Sequence, residues 1–295
     1  MPSTRLVHNA PSPDELPAVF ARVTYIAGGD GPAQVRVYPP GSGLTTVRPA
    51  SVQREVAIRD ARPIADRLRL DQQGFELRSH RSEFADFYGE AAVRARYYPE
   101  VEAAMRAMTG ALAVIVFDHN VRSAARATRG ETGVRLPVAQ VHNDYTEHSG
   151  PKRKLEILSA AGGPDLADRH VAFVNLWRPI VGPVWDNPLA LCEAGSVAPE
   201  DLVATEIRHF GEDDLTTPRH TGEIYSVRYN PAHRWFYVSQ MQPAEVLLLK
   251  CYDSRKDGRA RFMPHTGFEN PACPSVFAPR ESIEARTLVV FDERL

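Results

Sequence analysis

From residue 112 to its end, the chain is a succession of short apolar runs rich in β-branched and aromatic residues, broken at nearly regular intervals by Gly, Pro, Asn and Asp. The runs are ALAVIVFD, VRLPVAQVH, HVAFVNLW, NPLALCEAG, SVRYN, RWFYVSQM, EVLLLKCYDS, ARFMPH and ARTLVVFD. Such residues suit a pleated, half-buried surface, and the breaks carry the residue types that turns require. A series of this kind is what an antiparallel sandwich, barrel or jelly roll needs. No strand, Gly-rich turn and helix follow one another, so a doubly wound nucleotide-binding sheet, and with it a methyltransferase, is not expected.

The first part of the chain reads differently. Over 20–38, β-branched and aromatic residues flank GGDG, which predicts two strands joined as an N-terminal hairpin. Between 63 and 110 the pattern turns helical: SEFADFYGEAAVRARYY is amphipathic, and Pro99 before VEAAMRAMTG supplies a helix-start proline and a terminal Gly110. The expectation is a mainly β protein in which strands and flanking α-helices over 1–110 pack on a β core over 111–295, the two forming one continuous domain. The stretches RGETGV and EHSGPKRK read as mobile loops.

Bulk properties narrow the function classes. A net charge of -2 offers no electrostatic footprint for nucleic acid or an anionic membrane surface, so a small-molecule partner is expected. No segment approaches the roughly 20 apolar residues of a membrane span, and no signal peptide is evident, which predicts a cytoplasmic protein. The three cysteines, Cys192, Cys251 and Cys273, are odd in number and widely spaced, as reduced thiols would be. Of 35 basic residues only four are Lys, so an isolated Arg carries little weight as a functional signal.

The run VAQVHNDYT places His142 and Asp144 two residues apart at a strand end, where the period of two points both side chains to one face. One imidazole and one carboxylate can then grip the same ion. With a second His they form the two-His-one-carboxylate triad that leaves metal positions open in non-haem iron oxygenases. In a chain with ten His such a pair arises by chance about as often as not, and a histidine satisfied by a neighbouring carboxylate is the commoner reading. The segment ARFMPHTGFENPACPSVFAPRESIEARTLVVF shifts the balance, because it offers His265 at a strand end followed by Arg280 and Ser282 leading into a strand. Arg280 is the sole Arg in the chain with Ser at the second following position. A guanidinium and a hydroxyl on one strand face can hold the far carboxylate of a metal-bound 2-oxo acid.

The strings VHNDYT, NLWRP, NPLALC, HRWFYVSQM, LLLKCYDS, ARFMPHTGF and PRESIEARTLVVF, in that order over 114–291, resemble the CmcJ/AsaB-type family of tailoring oxygenases from bacterial and fungal secondary metabolism. The resemblance implies a double-stranded β-helix (jelly-roll, cupin-like) core, Fe(II), 2-oxoglutarate as co-substrate and O2. It implies metal ligation by His142, Asp144 and His265 and a carboxylate clamp at Arg280 with Ser282. The implied reaction is oxidation of a C–H bond of a small metabolite by hydroxylation, desaturation or ring closure. The gap between His265 and Arg280 is wider than in many 2-oxoglutarate oxygenases, which keeps Arg286, on the same strand face, as the alternative clamp.

Several other residues invite a role. Arg178 ends a strand and can meet a substrate carboxylate, and Tyr145, beside Asp144, can order the surroundings of the metal or touch substrate. The abundance of Arg near the presumed site points to a carboxylate-bearing substrate such as an amino-acid or peptide-derived molecule. His119 is the rival metal ligand, His233 reads as a turn-capping residue, and Lys250 as a snorkelling side chain. Trp177, Trp185 and Trp235 read as core or pocket wall. Two other functions fit the same residues: a cupin-like metal oxygenase or isomerase that uses no oxo acid, and a metal-free jelly-roll binding protein.

Overall fold

The computed structural model describes residues 12–28, 33–39 and 41–294. Its strands, in chain order, are β1 (Ala18–Ile26), β2 (Ala33–Val37), β3 (Ser51–Asp60), β4 (Phe75–Ser79) and β5 (Ala113–Ser123). They continue with β6 (Val134–Arg135), β7 (His142–Asn143), β8 (Arg169–Pro179), β9 (Leu189–Cys192) and β10 (Leu202–Phe210). The last are β11 (Pro218–Val227), β12 (Trp235–Tyr237), β13 (Glu245–Asp253), β14 (His265–Gly267) and β15 (Glu281–Arg294).

They form two sheets: nine strands in the order β1-β3-β12-β9-β14-β7-β11-β10-β2, and six in the order β4-β13-β8-β15-β5-β6. The alternation along β8 explains how the sheets stack. Val171, Phe173 and Trp177 join Leu189, Leu191 and Phe236 of the nine-stranded sheet in one core, while Ala172, Val174 and Leu176 face a second cluster built on the helical segment before β5. Each large side chain so buried contributes about 1.5–3 kcal/mol. A third cluster, with Val23, Tyr25, Ala190 and Trp235, covers the other face of the nine-stranded sheet. This is the jelly-roll core that the strand runs predict.

Four local expectations need correction. The strands over 20–38 exist but form no hairpin: β1 pairs antiparallel along its length with β3, whereas β2 pairs parallel with β10 at the opposite edge of the sheet. Residues 29–32 of the presumed turn lie outside the described residues. Local alternation marks strands but not partners, and β1 gains more by burying Ala21, Val23 and Tyr25 in the third cluster.

The window read as two helices holds β4 and then one helical stretch, Glu90–Ala92, Val93–Tyr97 and Tyr98–Thr109. Its middle section is a wide turn in which the Tyr98 amide donates to the Val93 carbonyl, five residues back, and this absorbs Pro99 inside a continuous helix. Gly110 ends it as predicted, with φ at 69°.

EHSGPKRK opens a helix, Ser149–Ala160, in which Pro151 occupies the first turn, where its missing N–H costs little. Finally, β10 and most of β11 lie outside the apolar runs of the sequence, because their residues are mostly half-buried or exposed and show no clean apolar alternation.

Candidate metal centre

The site forms where the shortest strands of the larger sheet meet. β7 lies between β11 and β14, with His142 paired to Ser226 on one side and to His265 on the other. This register sets the two imidazoles side by side, their ring centroids 4.7 Å apart. His142 Nε2 is 3.7 Å from Asp144 Oδ1, and one ligand atom from each of His142, Asp144 and His265 lies within 4.8 Å of the others. Asn143, between the first two, points the other way. Its Nδ2 donates to the Tyr145 and Cys251 carbonyls, each at 2.8 Å, and its Oδ1 accepts from the Met263 amide at 3.1 Å. It therefore ties both ligand-bearing segments to the core, a role its sequence position does not advertise.

The tautomers are set by carbonyls. His142 Nδ1 lies 2.8 Å from the Gln140 oxygen, and His265 Nδ1 lies 3.3 Å from that of Met263. A carbonyl only accepts, so each Nδ1 carries the proton and each Nε2 keeps a free lone pair. Burial, with His265 beside it, pushes His142 down to about 4, so its ring is neutral near pH 7. Burial opposes ionisation of Asp144, but Arg286, the two histidines and Asn175 outweigh it and hold the carboxyl well below the usual range. Asn175 Nδ2 donates to Asp144 Oδ2 at 2.9 Å, and Arg286 Nε stands 3.3 Å from the same oxygen. Two imidazoles whose Nδ1 atoms are engaged by carbonyls and one ionised carboxylate, buried and oriented, are a donor set that fits a divalent iron.

A cavity adjoins the cluster, walled by His142, His265, Trp177, Arg122, Arg280 and Glu284. Arg280 is 3% exposed, its guanidinium donates to the Asn187 carbonyl, and its Cζ sits 5.6 Å from the centre of the Trp177 ring. Burial, reinforced by Arg122, pulls Arg280 down to about 10, the mark of a buried cation in want of an anion. Its Nε, Ser282 Oγ and both polar side-chain atoms of Asn120 are buried with no hydrogen-bond partner. Unsatisfied polar atoms are costly in a finished interior, so this group fits a polar ligand such as the oxo acid. Arg286 is differently placed: it contacts Asp144, Glu284 and Asp118 at 3.3–3.5 Å.

On the far side of Asp144 and Arg286 opens a cleft of about 650 Å3, bounded by Tyr145, Phe117, the helix Ser149–Ala160 and β11. Tyr145 is stacked on Phe173 with centroids 4.1 Å apart.

Arg178 is not brought to the site. On β8 it follows Trp177 and so faces the opposite side of the sheet, where it donates to Tyr97 Oη at 3.1 Å, to the His80 and Pro243 carbonyls at 3.0 Å, and meets His80 Nδ1. Contrary to the expectation that it meets a substrate carboxylate, Arg178 is a buried structural residue. His119 also points away from the site, onto the helix-covered face of its sheet, where it lies between Tyr98 Oη and Glu90, at 2.9 and 3.3 Å, and is no rival ligand. His233 is buried between Asp201 and Tyr25. Lys250 does not snorkel: it is 3% exposed and its ammonium meets Asp253 Oδ2 at 2.8 Å and also Asp71.

A family model described as "Oxidoreductase/YMDC permease-like domain" matches residues 23–290. The chain is 31% identical over 284 residues to hydroxylase/desaturase efuI of Hormonema carpetanum, covering 85% of this chain and 91% of that protein. It is 30% identical over 259 residues to the Fe(II)/2-oxoglutarate-dependent dioxygenase nvfI of Aspergillus novofumigatus, covering 85% and 88%. The solved structure of the iron and alpha-ketoglutarate-dependent endoperoxidase NvfI shares the fold, with a TM-score of 0.79 at 24% identity over 93% of this chain and 98% of that one. The chain belongs to this oxidoreductase family and, within it, to the Fe(II)/2-oxoglutarate-dependent dioxygenases, enzymes that use iron, 2-oxoglutarate and O2.

Proposed function

We propose that this enzyme oxidises a C–H bond of a small, carboxylate-bearing metabolite, with His142, Asp144 and His265 holding the iron and Arg280 and Ser282 holding the far carboxylate of 2-oxoglutarate. The observation that carries the reading is the adjacency of the triad to a cavity lined by Arg280, whose buried Nε has no hydrogen-bond partner, with Ser282 Oγ, two residues along the chain, equally unpartnered. Bound iron, with the oxo acid and oxygen, supplies an oxidant able to remove hydrogen from an unactivated carbon.

The chain's own residues do the rest. His142 and His265 present Nε2 lone pairs because Gln140 and Met263 hold the opposite nitrogens. Asp144 offsets part of the metal's charge, and Asn175 and Arg286 keep its second oxygen from swinging away. Arg280 orients the oxo acid by a charge-assisted pair in a buried site, where such a pair is strongest, and Trp177 closes the wall against water. Arg286, already engaged with three carboxylates, steadies Asp144 and leaves the clamp to Arg280.

Substrate enters by the cleft beside Asp144 and Tyr145, whose volume is in the range of small-molecule sites. Its walls carry both signs of charge, with Arg153 and Arg219 paired to Glu156 and Asp213, so Lys152 is the cation there that suits a substrate carboxylate. The relatives' names include hydroxylase/desaturase and endoperoxidase, so hydroxylation, desaturation and oxygen insertion are the outcomes to assay, along with ring closure.

The test is anaerobic titration with Fe(II) and 2-oxoglutarate, followed by a screen of small carboxylates and amino acids for succinate release. Wild-type protein gives a weak visible charge-transfer band, and Arg280→Ala loses it together with 2-oxoglutarate-dependent turnover. A folded wild type with no band favours a metal-free binding protein. Turnover independent of 2-oxoglutarate and indifferent to Arg280→Ala favours the cupin-like alternative.

A further inference from the structure

A second arginine shares the oxo-acid cavity, and nothing in the sequence singles it out. Arg122 lies on β5 directly opposite Ser282 of β15, which makes it the diagonal neighbour of Arg280. Diagonal positions across an antiparallel pair are about 7–8 Å apart, within reach of long side chains. Both arginines line the cavity that His142 and His265 open into. Among the described residues, neither guanidinium has a carboxylate within ion-pair distance, whereas Arg286 in the same cavity has three. Arg122 Nη1 donates to the Leu136 carbonyl at 2.7 Å, which anchors the side chain and leaves further N–H groups to donate. Two residues earlier on the same strand face, Asn120 is 3% exposed with both polar atoms unpartnered.

Like charges placed together in a low-dielectric site repel, and Glu284 on the same cavity wall offsets this only from beyond ion-pair distance, so the pair is under-neutralised until a further anion arrives. Burial lowers Arg122 from its ordinary value, and Arg122 in turn is the second cause of the lowering at Arg280. We propose that Arg122 and Arg280 together form the clamp for the far carboxylate, so that Arg122 selects a dicarboxylic 2-oxo acid over a monocarboxylic one. This rests on the reading of the cavity as the oxo-acid site. A monocarboxylic acid such as pyruvate chelates a metal equally well, but it leaves the buried Arg280 and the half-buried Arg122 without an anion between them, and that penalty is the source of discrimination.

The test compares wild type, Arg122→Gln and Arg122→Lys, Fe(II)-loaded and anaerobic, by calorimetric titration with 2-oxoglutarate and with pyruvate, alongside thermal melts without oxo acid. Arg122→Gln is expected to weaken 2-oxoglutarate binding by about 10- to 100-fold, the worth of a hydrogen bond to a charged group, and to change pyruvate binding by no more than about twofold. Its melting temperature without oxo acid is expected to equal or exceed that of wild type, because a like-charge contact is relieved. Arg122→Lys is expected to fall between, since a point charge replaces a planar fork.

Unchanged 2-oxoglutarate affinity in Arg122→Gln overturns the proposal, as does an equal loss for both acids. A lowered melting temperature with unaltered discrimination also overturns it, and assigns Arg122 to holding Leu136. If Arg122→Gln does not fold, the ratio of the two affinities in Arg122→Lys decides: a reduced ratio supports the proposal and an unchanged one overturns it. Wild-type protein that binds no 2-oxoglutarate fails the parent reading instead, a distinguishable result.

Discussion

An imidazole binds a metal only through a nitrogen whose lone pair is free, and the residues that arrange this are as consequential as the histidines. His142, Asp144 and His265 were legible because two lie at strand period and the third ends another apolar run. Asn175 was not, since an Asn inside HVAFVNLW carries no signal of its own. It earns its place by facing inward on β8 and donating to Asp144 Oδ2. Asn175→Ala is expected to weaken metal affinity by about 10- to 100-fold while the fold is kept, as measured by competition with a chelator. Arg178 shows the opposite error. One residue's shift along a strand turns a side chain to the other face, and Trp177 took the inward position. Replacement of Arg178 by Met strips donors from the His80 and Pro243 carbonyls and is expected to cost about 3 kcal/mol of stability in a denaturant titration. Turnover per folded molecule should be unaltered, whereas a substrate-binding role would raise KM.

At the scale of elements, two short strands and one helix position the site. β7 has two residues and β14 three, too little hydrogen bonding to hold register alone, and Asn143 supplies the missing ties. The helix Ser149–Ala160, which walls the substrate cleft, reaches β13 through Gly150. A Cβ there would lie 2.6 Å from the Tyr252 ring, so the helix packs at a distance only glycine allows. Gly150→Val is expected to cost about 1–3 kcal/mol, read as a lower denaturation midpoint, and to disturb the cleft wall before the triad. The sequence hid this helix because Gly and Pro in succession resemble a loop. Pro151 in the first turn and Gly150 against Tyr252 explain both residues without one.

For the molecule as a whole, a buried ionic network between β8 and β13 contributes to acid tolerance. Asp253 is fully buried and meets His170 Nε2 and Lys250 Nζ, each at 2.8 Å, joining β8 to β13. Burial opposes its ionisation, but these partners prevail and lower it from the ordinary value. Its contribution to stability is therefore fully present above about pH 4, where an unfolded Asp ionises, and is lost as pH falls through the lower folded value. Asp253→Asn should flatten the acid limb of a melting-temperature profile as well as lower the plateau. Iron and 2-oxoglutarate bind the folded state alone, so each at 100 times its dissociation constant should add about 2.7 kcal/mol, reversed by a chelator.

Read unaided, the residues of this chain determined its β class, the strand-end positions of His142 and His265 and the shared face of His142 and Asp144, because side-chain alternation is a property of neighbouring residues. Strand partners, the inward or outward sense of Arg178 and Lys250, and the meeting of Arg122 with Arg280 were decided in three dimensions. These depend on which distant surfaces bury one another and which buried charges find, or lack, a counter-charge, and no local pattern encodes either.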